Sequence, residues 1–196
     1  MSMLIGLTGG IATGKSTAAK LFEQHGIPVV DADVVSRQMV EKGSEGLRKI
    51  VNHFGKTILN EDGTLNRKKL GELIFNDSSL RQQLNHILHP LIREEMNRQT
   101  THLLKTNQHV IQDIPLLFEN KLEQHFDLVI VVYIDQQEQI KRLQQRDDIS
   151  YEAALSKVKS QAPIEDKKAL AGIVLKNHGT IDALEEQVKE TIQNHF

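Results

Sequence analysis

Residues 6–17 read GLTGGIATGKST. The stretch holds four glycines (Gly6, Gly9, Gly10, Gly14), one lysine (Lys15), and Thr8, Thr13 and Ser16 ahead of Thr17. Glycine loses more backbone freedom on ordering than any other residue, so such a cluster needs a structural reason. Residues 3–8 (MLIGLT) are apolar and short, as in a buried strand. Residues 16–25 (STAAKLFEQH) place Ala19, Leu21 and Phe22 at helical spacing, and Gly26 suits a helix stop. Gly9, Gly14, Lys15 and Ser16 therefore form the pattern Gly-x4-Gly-Lys-Ser between a strand and a helix, the context of a phosphate-binding P-loop. The glycines let the backbone wrap closely and turn its N–H groups inward. The helix that follows adds the positive end of its dipole. Lys15 is expected to reach the β- and γ-phosphates, and the Ser16 hydroxyl to ligate Mg²⁺ beside them. Gly10, Ala12, Thr13 and Thr17 complete the expected nucleotide contacts. The loop reads as a holder of a nucleoside triphosphate.

The rest of the chain sets limits on that reading. Its 196 residues suit one compact α/β domain with insertions. The net charge of −2 argues against a general nucleic-acid binder. The absence of cysteine excludes disulfides, thiolate catalysis and cysteine-ligated zinc. The longest apolar run, residues 128–134, is far too short to span a bilayer. The N-terminal run reads as a strand rather than a targeting segment. A cytoplasmic protein that needs no membrane and no obligate protein partner is expected.

Further strands are expected at residues 28–31, 110–114, 128–134 and 173–175, with helical patterns between them. That alternation predicts the α/β class: a five-stranded parallel sheet with helices on both faces. Two regions break the rhythm. Residues 43–104 are polar and helical, with a turn at residues 61–63, and read as a helical insertion able to hold a second substrate. Residues 136–168 are helical and charge-rich. The expected core is then residues 1–42, 105–135 and 169–196. Its closing helix carries Ile181, Leu184, Val188 and Ile192 at core spacing.

A P-loop alone does not choose among kinases, GTPases and motors. The guanine-reading Asn-Lys-x-Asp pattern is absent. Residues 128–135 (LVIVVYID) end in an acid, as a motor strand would, but Asp135 leads into a Gln- and Arg-rich segment. The second strand says more. Residues 29–37 read VVDADVVSR, with Asp31 and Asp33 at the carboxyl end of a strand, where open α/β sheets bind ligands. Two apart on an extended chain, they would share a side. A carboxylate there can take a proton from an attacking hydroxyl, although either residue also suits a helix N-cap.

The motifs TGGIATGKST, VVDADVVSR, HPLIR (residues 89–93), DIPLLFE (residues 113–119), RLQQRD (residues 142–147) and NHG (residues 177–179) occur in an order that resembles the dephospho-coenzyme A kinases. The resemblance covers essentially the whole chain. It implies transfer of the ATP γ-phosphoryl group to the ribose 3′-hydroxyl of dephospho-coenzyme A, the last step of coenzyme A synthesis. It also implies a helical acceptor-binding domain over residues 43–104 and a mobile lid over residues 136–168. By this resemblance Asp33 is the general base, and Arg142 and Arg146 are lid arginines one helical turn apart. His89 and Arg93 belong to the acceptor region. Asp113 positions Mg²⁺ or the acceptor, and Asn177 lies on the adenine side. Pro90 makes His89 an expected helix boundary.

Two features depart from the family pattern. Ala12-Thr13 stand where the family loop usually carries Gly-Ser, so residue 12 must adopt negative φ or tolerate strain. Lys176 precedes Asn177 where an acid is usual. The nine histidines form no metal-binding pair. The competing readings are a kinase of the same fold acting on a nucleoside monophosphate, a nucleoside or a shikimate-like alcohol, and a non-catalytic nucleotide switch.

Overall fold

The computed structural model describes residues 2–75 and 77–196. Its strands are β1 (Met3–Gly9), β2 (Val29–Asp31), β3 (His109–Asp113), β4 (Leu128–Tyr133) and β5 (Ile173–Lys176). Its helices in chain order are α1 (Lys15–Gln24), α2 (Ala32–Gln38), α3 (Glu45–Phe54), α4 (Arg67–Phe75), α5 (Ser78–Leu103), α6 (Gln136–Asp147), α7 (Tyr151–Lys159), α8 (Ile164–Leu170) and α9 (Ile181–His195). The chain divides into two compact units, Met1–Val30 with Thr100–Phe196, and Asp31–Gln99.

The sheet order is β2-β3-β1-β4-β5, and the sheet is all-parallel. β1 is central. It pairs with β3 from Met3–His109 to Leu7–Asp113, and with β4 from Ile5–Leu128 to Gly9–Val132. Unbroken apolar runs such as 128–134 form because a central parallel strand is buried on both faces. Alternate residues of β4 then serve opposite layers. Ile130 and Val132 join Ile5, Leu7 and Ile111 in a core closed by Ala18, Leu21 and Phe22 of α1 and Leu184 and Val188 of α9. Val131 and Tyr133 face the other way, onto Ile164 of α8 and Phe118. Phe22 is fully buried, and burying such a side chain contributes roughly 2–3 kcal/mol. The five expected strands are all present.

The second unit is helical. Val40, Ile50, Ile58, Leu70 and Leu84 form its core, with Phe54, Ile74, Ile87 and Leu88 packed around them. The expected turn at residues 61–63 is present: Gly63 has φ 81, and the Asp62 carboxylate accepts hydrogen bonds from the Thr64 N–H and hydroxyl.

Pro90 corrects one expectation. It does not end a helix at His89 but lies inside α5, which runs unbroken for 26 residues. Proline removes the N–H that would bond the His86 carbonyl one turn earlier. Leu84, Ile87 and Leu88 pack into the helical core on this stretch, and that burial outweighs the lost bond.

A second correction concerns the Asp31–Asp33 pair. The chain is not extended through both residues, because α2 begins at Ala32. Asp31 is its N-cap: one carboxylate oxygen accepts from the Asp33 N–H at 2.7 Å and the Val34 N–H at 3.2 Å. The short polar side chain satisfies two orphan donors of the first turn, so the helix starts two residues earlier than an extended reading allows.

Candidate active site

β1 ends at Gly9 and α1 starts at Lys15, so the loop is the turn between them. Asp31, Ser44, Asp135, Ser150 and Thr180 each cap a helix with a side-chain oxygen. α1 has no such cap and no acidic residue in its first turn. Its first N–H groups and its positive dipole end are therefore left for an anion.

Gly14 is the N-cap residue of α1, with φ 89 and ψ 22, and a Cβ there would stand 2.1 Å from Asn177 Nδ2. Gly14→Ala is expected to weaken ATP binding by roughly tenfold or more, through strain and displacement of Asn177 together. Titration calorimetry with ATP checks this; unchanged affinity would release residue 14 from the loop's role. Ala12 also takes the left-handed conformation, with φ 62. Of the two outcomes open to it, the chain adopts strain, at roughly 1–2 kcal/mol. Ile11 and Ala12 pack against Ile140, Leu143, Ala154 and Val158 of α6 and α7, which offsets part of that cost.

Lys15 forms an ion pair with Asp113 at the end of β3, and the Asp113 carboxylate is almost completely buried. Thr13 is buried, and its hydroxyl donates to the Gly10 carbonyl at 2.9 Å. Ser16 is exposed, and among the described residues its hydroxyl has no hydrogen-bond partner. Thr17 sits in the first turn of α1, with its N–H bonded to the Gly14 carbonyl. Asn177 donates from Nδ2 to the Thr13 carbonyl at 2.8 Å, and its own carbonyl accepts from Arg142 at 2.8 Å. Arg142 is also held by Glu138 at 2.9 Å. The structure thus gathers the loop, Asp113, Asn177 and Arg142 into one hydrogen-bonded set.

Arg146 lies one turn further along α6, mostly exposed and paired with Asp147 at 2.7 Å. Arg146 and then Lys157 hold the Asp147 carboxyl far below the usual carboxylate range. Asp135 caps α6 and also contacts His178 at 3.2 Å. The Glu138 N–H is the main cause of its lowered pKa. Its acid therefore terminates a strand and starts a helix. In the helical unit, Asp33, His89 and Arg93 are exposed, the last two one turn apart on α5.

Sequence reasoning missed a second set. Lys167 is fully buried; its ammonium donates to the Gly9 carbonyl at 3.0 Å and pairs with Glu119 at 2.7 Å. Gln139 and Gln161 both bond the backbone of Ile11. Tyr133 bonds Glu165, which pushes its hydroxyl pKa up to about 12. Lys167 and the glutamines stand in polar, charged segments, where nothing in the local pattern sets them apart from solvent-facing neighbours. The signal available was Glu119 at the end of DIPLLFE, an acid beside an apolar run that needs a buried cation.

Among the described residues no group of three or more acidic or histidine side chains is arranged to hold a metal, and no helix is long and apolar enough to cross a membrane. The dephospho-CoA kinase family model matches residues 3–183. A dephospho-CoA kinase of Bacillus cereus is 46% identical over 195 residues, covering 99% of this chain and 98% of the relative. Two solved structures are each 30% identical. One, from Thermus thermophilus, has a TM-score of 0.82 and covers 100% of this chain and 98% of its own. The other, a dephospho-CoA kinase from Campylobacter jejuni, has a TM-score of 0.69 and covers 97% and 95%. A glycine loop running into an uncapped helix, its lysine set on a buried acid, and likeness along the whole length make one assignment: the chain belongs to the dephospho-CoA kinase family.

Proposed function

We propose that this kinase transfers the γ-phosphoryl group of ATP to the ribose 3′-hydroxyl of dephospho-coenzyme A, giving coenzyme A and ADP. The observation that carries the ATP half is the uncapped α1 N-terminus behind the glycine loop, with Lys15 beside it. Family membership carries the acceptor. In this reading Lys15 leaves Asp113 for the β- and γ-phosphates, and the loop N–H groups hold the same oxygens. Gly9, Gly10, Ala12, Thr13, Gly14 and Thr17 line that cradle.

The acceptor oxygen attacks the γ-phosphorus as the bond to the β–γ bridging oxygen breaks, and Asp33 takes the hydroxyl proton. The helical unit binds the acceptor, with His89 and Arg93 supplying polar contacts. Residues 136–168 act as a lid, from which Arg142 and Arg146 offset charge on the transferring group and exclude water. Asn177 orders the adenine side.

Mg²⁺ suits the site. A hydroxyl with no partner among the described residues, at the first turn of the helix, is a ligand that such a cation takes beside phosphate oxygens and water. Bound by Ser16, it would neutralise charge on the β- and γ-phosphates.

A coupled ADP-release assay tests the reading, with ATP, Mg²⁺ and dephospho-coenzyme A, and with adenosine and AMP as control acceptors. ADP release that needs dephospho-coenzyme A, with coenzyme A formed in equal amount, is expected. Release only with another acceptor would overturn the acceptor and leave the loop assignment standing.

A further inference from the structure

Four of the loop's carbonyls are already engaged. The Gly9 carbonyl accepts from Lys167 at 3.0 Å, and the Gly10 carbonyl from the Thr13 hydroxyl at 2.9 Å. The Ile11 carbonyl accepts from Gln139 Nε2 at 2.8 Å, and the Thr13 carbonyl from Asn177 at 2.8 Å. Carbonyl oxygens repel phosphate, so a loop that binds a triphosphate must keep them turned away while its N–H groups point inward. Here each of these four carbonyls has a side-chain donor drawing it off.

Ile11 is gripped at both ends. Its N–H donates to Gln161 Oε1 at 2.8 Å, while its carbonyl takes the Gln139 amide. Gln139 is almost fully buried, and its Oε1 has no hydrogen-bond partner among the described residues. An amide that leaves a buried acceptor unsatisfied incurs a desolvation cost, so holding Ile11 outweighs it. Gly10 fits the same arrangement, because a Cβ there would stand 2.3 Å from Gln139 Nε2.

Lys167 is anchored in turn. Glu119 neutralises it at 2.7 Å, and the same carboxylate oxygen accepts the Ala162 N–H at 3.0 Å, next to Gln161. Gln139, Gln161 and Lys167 come from α6, the residues just before α8, and α8 itself. All three lie in the segment proposed as the lid, and all three end on the backbone of Gly9 or Ile11.

We infer that Gln139, Gln161 and Lys167 are positioning residues that preset the phosphate loop, so that the base of the lid segment sets ATP affinity. This rests on the kinase reading, but it concerns the nucleotide alone and needs no particular acceptor. None of the three side chains has to touch ATP. Their work is done in the free enzyme, by removing alternative loop conformers before the triphosphate arrives.

Gln161→Met keeps side-chain length and removes the acceptor for Ile11. Gln161 is only half-buried, so the variant is expected to fold. Its ATP Kd, read with a fluorescent ATP analogue and no acceptor present, is expected to rise roughly tenfold. Its kcat and its KM for dephospho-coenzyme A should stay within about threefold of wild type, since the substitution acts on loop preorganisation rather than on the transition state. An ATP affinity within twofold of wild type would overturn the inference, and so would equal loss in kcat and both KM values. Hydrogen exchange on the wild-type protein gives an independent reading. The Ile11 amide should be protected like its β1 neighbours when no nucleotide is bound, and exchange at an open-loop rate would also overturn it. If Gln161→Met weakens ATP binding while dephospho-coenzyme A proves not to be the acceptor, the brace stands and only the acceptor reading falls.

Discussion

Asp33→Asn is expected to lower kcat by roughly 10²- to 10⁴-fold while ATP affinity stays within about twofold. Asparagine keeps the shape of the side chain and cannot take a proton. The two neighbouring acids have separable roles. Asp31 uses its carboxylate on the N–H groups of Asp33 and Val34, at 2.7 Å and 3.2 Å, and so serves the helix. Asp33 stands exposed in the first turn, and among the described residues none is bound by its side chain. Asp31→Ala should therefore cost stability, about 1 kcal/mol for a lost N-cap, and affect the chemical step less. Steady-state kinetics on both variants, with melting curves alongside, separates the two. Near-normal turnover in Asp33→Asn would remove it from the base role.

Lys15→Ala is expected to lose ATP binding and turnover together, by roughly 10²-fold or more, because the loop loses the lysine proposed to hold the β- and γ-phosphates. It carries a second effect that the sequence pattern alone does not suggest. The Asp113 carboxylate is 1% exposed and pairs with the Lys15 ammonium. Removing one partner of a buried ion pair is destabilising, by roughly 3 kcal/mol, or about 6–12 °C in Tm for a chain of this size. The double variant Lys15→Ala, Asp113→Asn should recover much of that melting temperature and none of the ATP affinity. Unchanged affinity in the single variant would contradict the loop assignment. A double variant that melts no higher than the single one would show that the pair does not hold the end of β3.

The strands were legible because each is a short apolar run cut by glycine, proline or a charged turn, and burial on both faces leaves that mark. The loop was legible for a related reason. Its glycines, lysine and serine are adjacent in the chain, so spacing alone carries the geometry. The start of α2 was less so. Asp31 suited both a strand end and a cap, and only the backbone shows that capping prevails. Pro90 misled because the bias of a residue before proline is local, whereas the packing of Leu84, Ile87 and Leu88 that keeps α5 intact is tertiary.

Gln139 and Gln161 were not legible at all, and Lys167 only through its partner Glu119. The loop backbone they hold, at Ile11 and Gly9, is more than a hundred residues away in the chain. A glutamine among glutamines, or one lysine of a Lys-Lys pair, carries no periodic signal when its partner is backbone.

The central place of β1 has a consequence for how the protein is made. β1 pairs with residues 109–113 and 128–132, which are synthesised about a hundred residues after it. Contacts so distant in sequence form late, after loop-closure entropy has been met. The helical stretch Asp31–Gln99 has its core partners close by in sequence and can collapse while synthesis continues. The phosphate loop that follows β1 is thus expected to take its shape after the helical stretch has collapsed. A nucleotide bound at this loop would therefore stabilise only chains in which β3 and β4 have already been made.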